Sequence, residues 1–79
     1  MDTDLYQYLK AFMIESNWED EYTRNDALAI FTTICLYFNI DADTPVCGEM
    51  LCDLYDAANM EEVEVSYDEF KNFMLTFII

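Results

Sequence analysis

Residues 44–59 read TPVCGEMLCDLYDAAN, and this stretch predicts the fold class of the chain. Thr44 followed by Pro45 is typical of a helix start, because the first helical position needs no backbone N–H and suits the fixed φ of proline. Apolar residues then recur at helical spacing, with acidic residues on the opposite side. The apolar positions are Cys47, Met50, Leu51, Leu54, Tyr55 and Ala58. Asn59 suits the left-handed conformation that closes many helices.

Upstream of this helix, two segments show the same period. In residues 4–15 the apolar stripe comprises Leu5, Tyr8, Leu9, Phe12 and Met13. The next segment starts with a sequence resembling a capping box at residues 23–26 and extends to Phe38. It is apolar nearly all round, which indicates a central helix. Its end, residues 32–38, is rich in β-branched and aromatic residues, so a strand is the competing prediction there.

Downstream, residues 66–69 read SYDE, a capping box that predicts a last helix. Its interior positions are Phe70, Phe73, Met74, Phe77 and Ile78. Alternation in residues 61–65 suggests a short extended segment before it. Gly48 and Pro45 are the single glycine and the single proline, too few for a sandwich or a barrel. We therefore predict one all-α domain over residues 1–79, a compact bundle of four short helices with at most that one extended segment.

Charge is the strongest compositional feature. Seventeen acidic residues face three basic ones, and the formal net charge is −14 with no histidine. Because 54% of the residues are hydrophobic and 16% aromatic, the chain is predicted to be a folded domain rather than an acidic tail. The aromatic and methionine content predicts either an unusually rich core or a second interface, with a partner or with another copy of the chain as a homodimer.

Several function classes are disfavoured. Without histidine the commonest general base is missing, and neither serine has a base beside it, so we predict that the protein is not an enzyme. The cysteines Cys35, Cys47 and Cys52 form no metal-ligand pattern and are expected to be small buried hydrophobic residues. No cofactor and no metal are predicted.

Residues 65–70 resemble the end of an EF-hand calcium loop, in which a bidentate Glu, here Glu69, precedes the exiting helix. The corresponding ligand positions hold Ala58, Met60 and Glu62, and Val63 stands at the glycine position, so the D-x-D-x-D-G run is absent. We interpret residues 66–69 as a helix cap. A degenerate, metal-free EF-hand-like pair remains an alternative.

The sequence also bears on location. The N-terminal residues lack a basic region typical of signal peptides, and the longest near-apolar run, residues 27–38, is well short of the roughly 20 residues that span a bilayer. Negative charge repels anionic membrane surfaces. A cytoplasmic protein with reduced thiols and no membrane contact is predicted.

Direct nucleic-acid binding is disfavoured, because phosphate contacts need Lys and Arg. Binding the proteins that bind nucleic acid is favoured instead. Carboxylates one helical turn apart lie about 6 Å from each other, from the rise of about 1.5 Å per residue, which is comparable to phosphate spacing. We predict that three acidic clusters contact a Lys/Arg-lined groove of the partner, and that two aromatic anchors lie beside the first cluster. The clusters are Glu19, Asp20 and Glu21; Glu49, Asp53 and Asp56; and Glu61, Glu62 and Glu64; the anchors are Trp18 and Tyr22.

In size, charge density, helical character and lack of catalytic residues, the whole chain resembles the small acidic inhibitors of phages and mobile elements: DNA mimics, anti-restriction proteins and anti-CRISPR proteins. The resemblance implies a stoichiometric inhibitor that occupies the nucleic-acid site of a host defence protein, a CRISPR–Cas effector or a restriction complex, in the host cytoplasm. The alternative is a small helical adaptor that binds a partner helix through an apolar groove of Met and Phe side chains.

Overall fold

The computed structural model describes residues 3–78. Within this part of the chain there are four α-helices, one short 3₁₀ helix and no strand. The elements are α1 (Thr3–Glu15), α2 (Glu21–Tyr37), α3 (Pro45–Ala57), the 3₁₀ helix (Met60–Val63) and α4 (Tyr67–Met74). Helix α1 packs against α2 and α3, and α4 packs against the same two helices. The predicted all-α bundle of four short helices is confirmed, and residues 32–37 are helical rather than a strand.

Helix α3 follows its sequence signals closely. Thr44 is the N-cap and Pro45 the first helical residue, although the Thr44 hydroxyl accepts a hydrogen bond from the Asp41 amide rather than from α3 (3.2 Å). The helix ends at Ala57, and Asn59 adopts the predicted left-handed conformation with φ 57°. Asparagine tolerates this region better than most residues, so the chain leaves the helix here without strain.

Helix α2 begins earlier than predicted. Its N-cap is Asp20, whose carboxylate accepts a hydrogen bond from the Tyr22 amide at 2.9 Å, so Thr23 lies within the helix and caps nothing. Asp ranks above Thr as an N-cap residue, which favours Asp20 over Thr23 as the start of the helix. Helix α2 is also less enclosed than predicted, because Leu36 and Tyr37 are 69% and 76% exposed.

The predicted extended segment at residues 61–65 is wrong. Residues 60–63 form the 3₁₀ helix, and Glu64 adopts a left-handed conformation with φ 59°. Met60 anchors this turn in the core, and its carbonyl accepts a hydrogen bond from the Val65 amide at 3.2 Å. The Tyr55 hydroxyl donates to the Val65 carbonyl at 2.6 Å, which ties the turn to α3. Tertiary contacts therefore outweigh the local alternation.

The core is continuous through all four helices. Its largest fully buried side chains are Phe31, Phe70, Leu9, Ile34, Leu51, Leu54, Met60, Met74, Cys35 and Cys47. Two predicted core positions are exposed instead: Tyr8 in α1, where Tyr6 is buried in its place, and Phe77 after α4. Helix α4 is capped as predicted, with the Ser66 hydroxyl accepting from the Glu69 amide at 3.1 Å.

Candidate acidic binding surface

The acidic residues form the outer surface of the bundle. Among residues 3–78 every Asp and Glu except the half-exposed Asp53 is exposed, and no charged side chain is buried. Two of the three cations are engaged within the fold: Lys10 pairs with Asp53, and Arg24 donates to backbone carbonyls. Lys71, the third, is exposed. The negative surface is therefore compensated little by neighbouring positive side chains.

The first predicted cluster, which we call the loop cluster (Glu19, Asp20 and Glu21), spans the α1–α2 loop and the start of α2. Side chains fix its backbone. The Asn17 side-chain carbonyl accepts from the Glu19 amide at 3.0 Å, and Arg24 Nη1 donates to the carbonyls of Trp18 and Glu19, each at 3.0 Å. With the Asp20 cap, these bonds hold three adjacent carboxylate-bearing residues on a defined backbone. A preordered loop loses less entropy when a partner binds it.

The two predicted aromatic anchors differ in accessibility. Tyr22 is 81% exposed, directly after the loop cluster, and its ring is available to a partner. Trp18 is only 8% exposed, and its ring packs against Phe70 and Phe73 with centroid distances of 5.4 and 5.6 Å. Trp18, predicted as an aromatic anchor beside the first cluster, is therefore a core residue at the base of a groove rather than an exposed ring.

This open groove, which we call the Trp18 groove, lies between the α1–α2 loop and α4 and has a volume of about 340 Å³. It is lined by Trp18, Glu19, Arg24, Val65, Glu69, Phe70 and Phe73. The floor is apolar and the rim is charged. Sequence reasoning did not find it, because its two walls are separated by about 50 residues and only the packing of Trp18 on α4 brings them together.

The second predicted cluster is not a continuous row. Glu49 and Asp56 are exposed, but Asp53 points to α1, where it accepts from the Tyr6 hydroxyl at 2.5 Å and pairs with Lys10 at 3.1 Å. The hydrogen bond from Tyr6, followed by that from Lys10, lowers the pKa of Asp53 below its usual value. Burial, reinforced by Asp53, raises the pKa of Tyr6. Asp53 is therefore an interhelix contact, a correction to its predicted place on the binding surface.

The third predicted cluster, Glu61, Glu62 and Glu64, is exposed on and just after the 3₁₀ helix. The structure joins it to the second cluster, because Glu61 and Asp56 line the same small cavity of about 110 Å³. Tyr55, Asn59 and Met60 complete that cavity. The exposed carboxylates of the second and third clusters, without Asp53, thus form a charged surface that runs from α3 into the 3₁₀ helix. This surface is separate in sequence from the loop cluster.

Reactive groups are few. Burial, together with the neighbouring Cys47 thiol, raises the pKa of Cys35 to about 12, and burial also raises that of Cys47. Both thiols are therefore protonated at neutral pH and inert as nucleophiles. Cys52 is exposed, contrary to the prediction that all three are buried, and its sulfur lies 3.5 Å from the Tyr67 hydroxyl. Within residues 3–78 no three side chains of the His, Cys, Asp or Glu type are placed to hold a metal ion.

The described methionines, Met13, Met50, Met60 and Met74, are all buried. These four side chains fill the core, so none of them lines an exposed groove of the kind predicted for the helical adaptor. Over the same residues no helix has both the length and the apolar character needed to cross a bilayer. Comparison with protein-family models, with curated proteins and with solved structures gives no match.

Proposed function

We propose that this protein is a non-enzymatic inhibitor that occupies the nucleic-acid-binding site of a host defence protein, a CRISPR–Cas effector or a restriction complex, in the host cytoplasm. The observation that supports this most is the loop cluster, a set of exposed carboxylates on a backbone that Asn17, Asp20 and Arg24 hold in place. Tyr22 adds an exposed aromatic ring beside it. A basic groove built for phosphates meets both charge and a stacking surface here.

The charge density supports the same proposal. The longest dimension of the fold is 30 Å, and the chain carries a formal net charge of −14. Duplex DNA carries one negative charge per about 1.7 Å of helix axis, or roughly 18 over the same length. The protein therefore presents a polyanion of comparable linear charge density to a surface selected to bind DNA or RNA. Long-range attraction of this kind accelerates association and weakens as salt screens it.

The test begins with capture of a partner from a host lysate at low and at high salt, identified by mass spectrometry. A Lys/Arg-rich nucleic-acid-binding protein retained only at low salt is expected. Association rates are then measured for the variant with Glu19→Lys and Glu21→Lys, which replaces attraction by repulsion and should reduce the rate about tenfold or more at low salt.

The matched control carries Asp41→Lys and Asp43→Lys. These exposed acids lie in the α2–α3 loop, and their reversal changes the net charge by the same amount. The control should lose much less of the association rate, because it leaves the loop cluster unchanged. Equal losses in the two variants would show that only the overall charge matters. Binding unaffected by salt and by either reversal would favour the helical adaptor instead.

A further inference from the structure

The Trp18 groove combines an apolar floor with an acidic rim. Trp18 and the half-buried Phe73 form the floor, with the fully buried Phe70 behind them, and the Trp18 ring packs on the two phenylalanine rings at 5.4 and 5.6 Å. Glu19 and Glu69 stand exposed at the rim. A groove of about 340 Å³ with an apolar floor favours an apolar group that displaces the water from that floor.

The charges at the rim of the groove determine which kind of polypeptide segment can place an apolar side chain in it. Among residues 3–78, Arg24 is the one cation that lines the groove, and its Nη1 is turned towards the carbonyls of Trp18 and Glu19. Two carboxylates, those of Glu19 and Glu69, line the same groove. Asp20 and Glu21 follow Glu19 directly in the loop cluster. A segment with Lys or Arg beside its apolar side chain is attracted here, whereas an acidic segment is repelled.

We propose that the Trp18 groove receives one large apolar side chain from a basic polypeptide segment of the partner, whose flanking Lys or Arg residues contact Glu19 and Glu69. The proposal rests on the proposed function, and it adds that the groove fixes the position in which the partner binds. Charge alone steers a partner without setting its position, while a side chain buried in a pocket sets position and slows dissociation. The loop cluster supplies attraction, and the groove beside it supplies the anchor.

Trp18 is the single tryptophan of the chain, so its fluorescence reports occupancy of the groove directly. Three capped pentapeptides serve as probes: Lys-Arg-Phe-Arg-Lys, Lys-Arg-Ala-Arg-Lys and Ser-Ser-Phe-Ser-Ser. The first should bind about tenfold more tightly than the second, which has the same charge, because a Phe side chain buries far more apolar area than Ala. It should also bind more tightly than the third at low salt, and approach it as salt rises.

A variant in the groove and a matched control outside it test whether the preference for the Phe peptide arises in the groove. Val65→Phe places a larger side chain in the groove and should remove the preference for the Phe peptide over the Ala peptide. Val46→Phe makes the same change at an exposed position of α3 outside the groove and should keep the preference. Circular dichroism and the melting temperature of both variants confirm that they are folded before the titrations are compared.

Equal affinity for the two basic peptides, or no measurable binding of either, overturns the proposal. If the serine-flanked Phe peptide binds at low salt as tightly as the basic Phe peptide, the flanking charges contribute nothing, and the proposal of a basic partner segment is overturned. A fluorescence change with protein concentration alone, matched by dimer formation in sedimentation, assigns the groove to a second copy and also overturns it. None of these results affects the competition between this protein and nucleic acid on a captured partner, so failure of the groove and failure of the proposed function are distinguished.

Discussion

At the residue scale, a few buried or half-buried polar groups decide where side chains point. The sequence pattern predicts Tyr8 in the apolar stripe of α1, yet Tyr8 is 59% exposed and Tyr6 is buried instead. The hydroxyl of Tyr6 reaches Asp53, 47 residues later, and a buried tyrosine needs such a partner. Because Asp53 contacts Tyr6 and Lys10 of α1, its carboxylate is not part of the acidic binding surface. A single long-range hydrogen bond therefore changes both the core and the candidate site.

Replacing Asp53 by Asn tests this contact. Asp53 has a lowered pKa in the folded state, so its contribution to stability is present above its unfolded pKa of about 3.9 and is lost as the pH falls through the lowered value. At pH 7 the variant should lose roughly 0.5–1 kcal/mol, a small figure because the pair is half exposed. Denaturant unfolding should show that this loss shrinks below about pH 4. Asp56→Asn, which removes an exposed charge, serves as control, and an equal, pH-independent loss there would refute the assignment.

Thr32 offers a second test at this scale. Within residues 3–78, its hydroxyl is the buried side-chain polar atom without a hydrogen-bond partner. Thr32→Val keeps the shape and removes the unpaired group, so it should raise the free energy of unfolding by about 1 kcal/mol. The neighbouring Thr33 donates to the Ala29 carbonyl at 2.8 Å and is exposed, and Thr33→Val should change stability by less than about 0.5 kcal/mol. Destabilisation by Thr32→Val would mean that the hydroxyl is satisfied in solution.

At the element scale, local signals predict the helices better than they predict the connections. Thr44-Pro45, Asn59 and residues 66–69 each combine a conformational preference with a position, and each is found where predicted. The 3₁₀ helix was not predictable in the same way. Its bend depends on a left-handed Glu64, which the residue type disfavours, and on contacts that Met60 and Val65 make with other elements.

The cap of α4 gives a test of an element. Ser66→Ala removes the hydrogen bond to the Glu69 amide and should cost about 1 kcal/mol of stability. Thr44→Ala is the comparison, and it should cost less, because the Thr44 side chain makes no cap hydrogen bond to α3. Thermal unfolding measures both. A calcium-selective rise in melting temperature, absent with magnesium and abolished by Glu69→Gln, would contradict the interpretation of residues 66–69 as a cap.

Part of the candidate site follows from sequence and part does not. The loop cluster, Tyr22 and the third cluster are exposed as composition and pattern predict, because charged residues avoid the interior. Trp18 is the instructive failure. It stands in a polar segment beside acids, but its burial depends on Phe70 and Phe73 of α4, which no local pattern connects to it.

At the scale of the whole molecule, net charge opposes folding. Fourteen uncompensated negative charges within a fold 30 Å long repel one another, and the Debye length is about 30 Å at 0.01 M ionic strength but below 10 Å above 0.1 M. The melting temperature should therefore rise between low salt and about 0.5 M NaCl, by about 4 °C or more for each kcal/mol relieved.

The variant with Asp41→Lys and Asp43→Lys is the control for this response. Its formal net charge is −10, from −14 with two residues each changed by +2, so it should melt higher at low salt and gain less from added NaCl. A flat or falling response in the unmodified protein would show that the acidic residues are already compensated within the fold.

Competition for a captured partner tests the central claim most directly. The partner is first saturated with this protein, and a fluorescent DNA or RNA oligonucleotide that the partner binds is then titrated in at low salt. If the acidic surface occupies the nucleic-acid site, the two ligands exclude each other, and the variant with Glu19→Lys and Glu21→Lys competes about tenfold less well than the Asp41→Lys, Asp43→Lys control. If the saturated partner binds the oligonucleotide with unchanged affinity, the claim is contradicted.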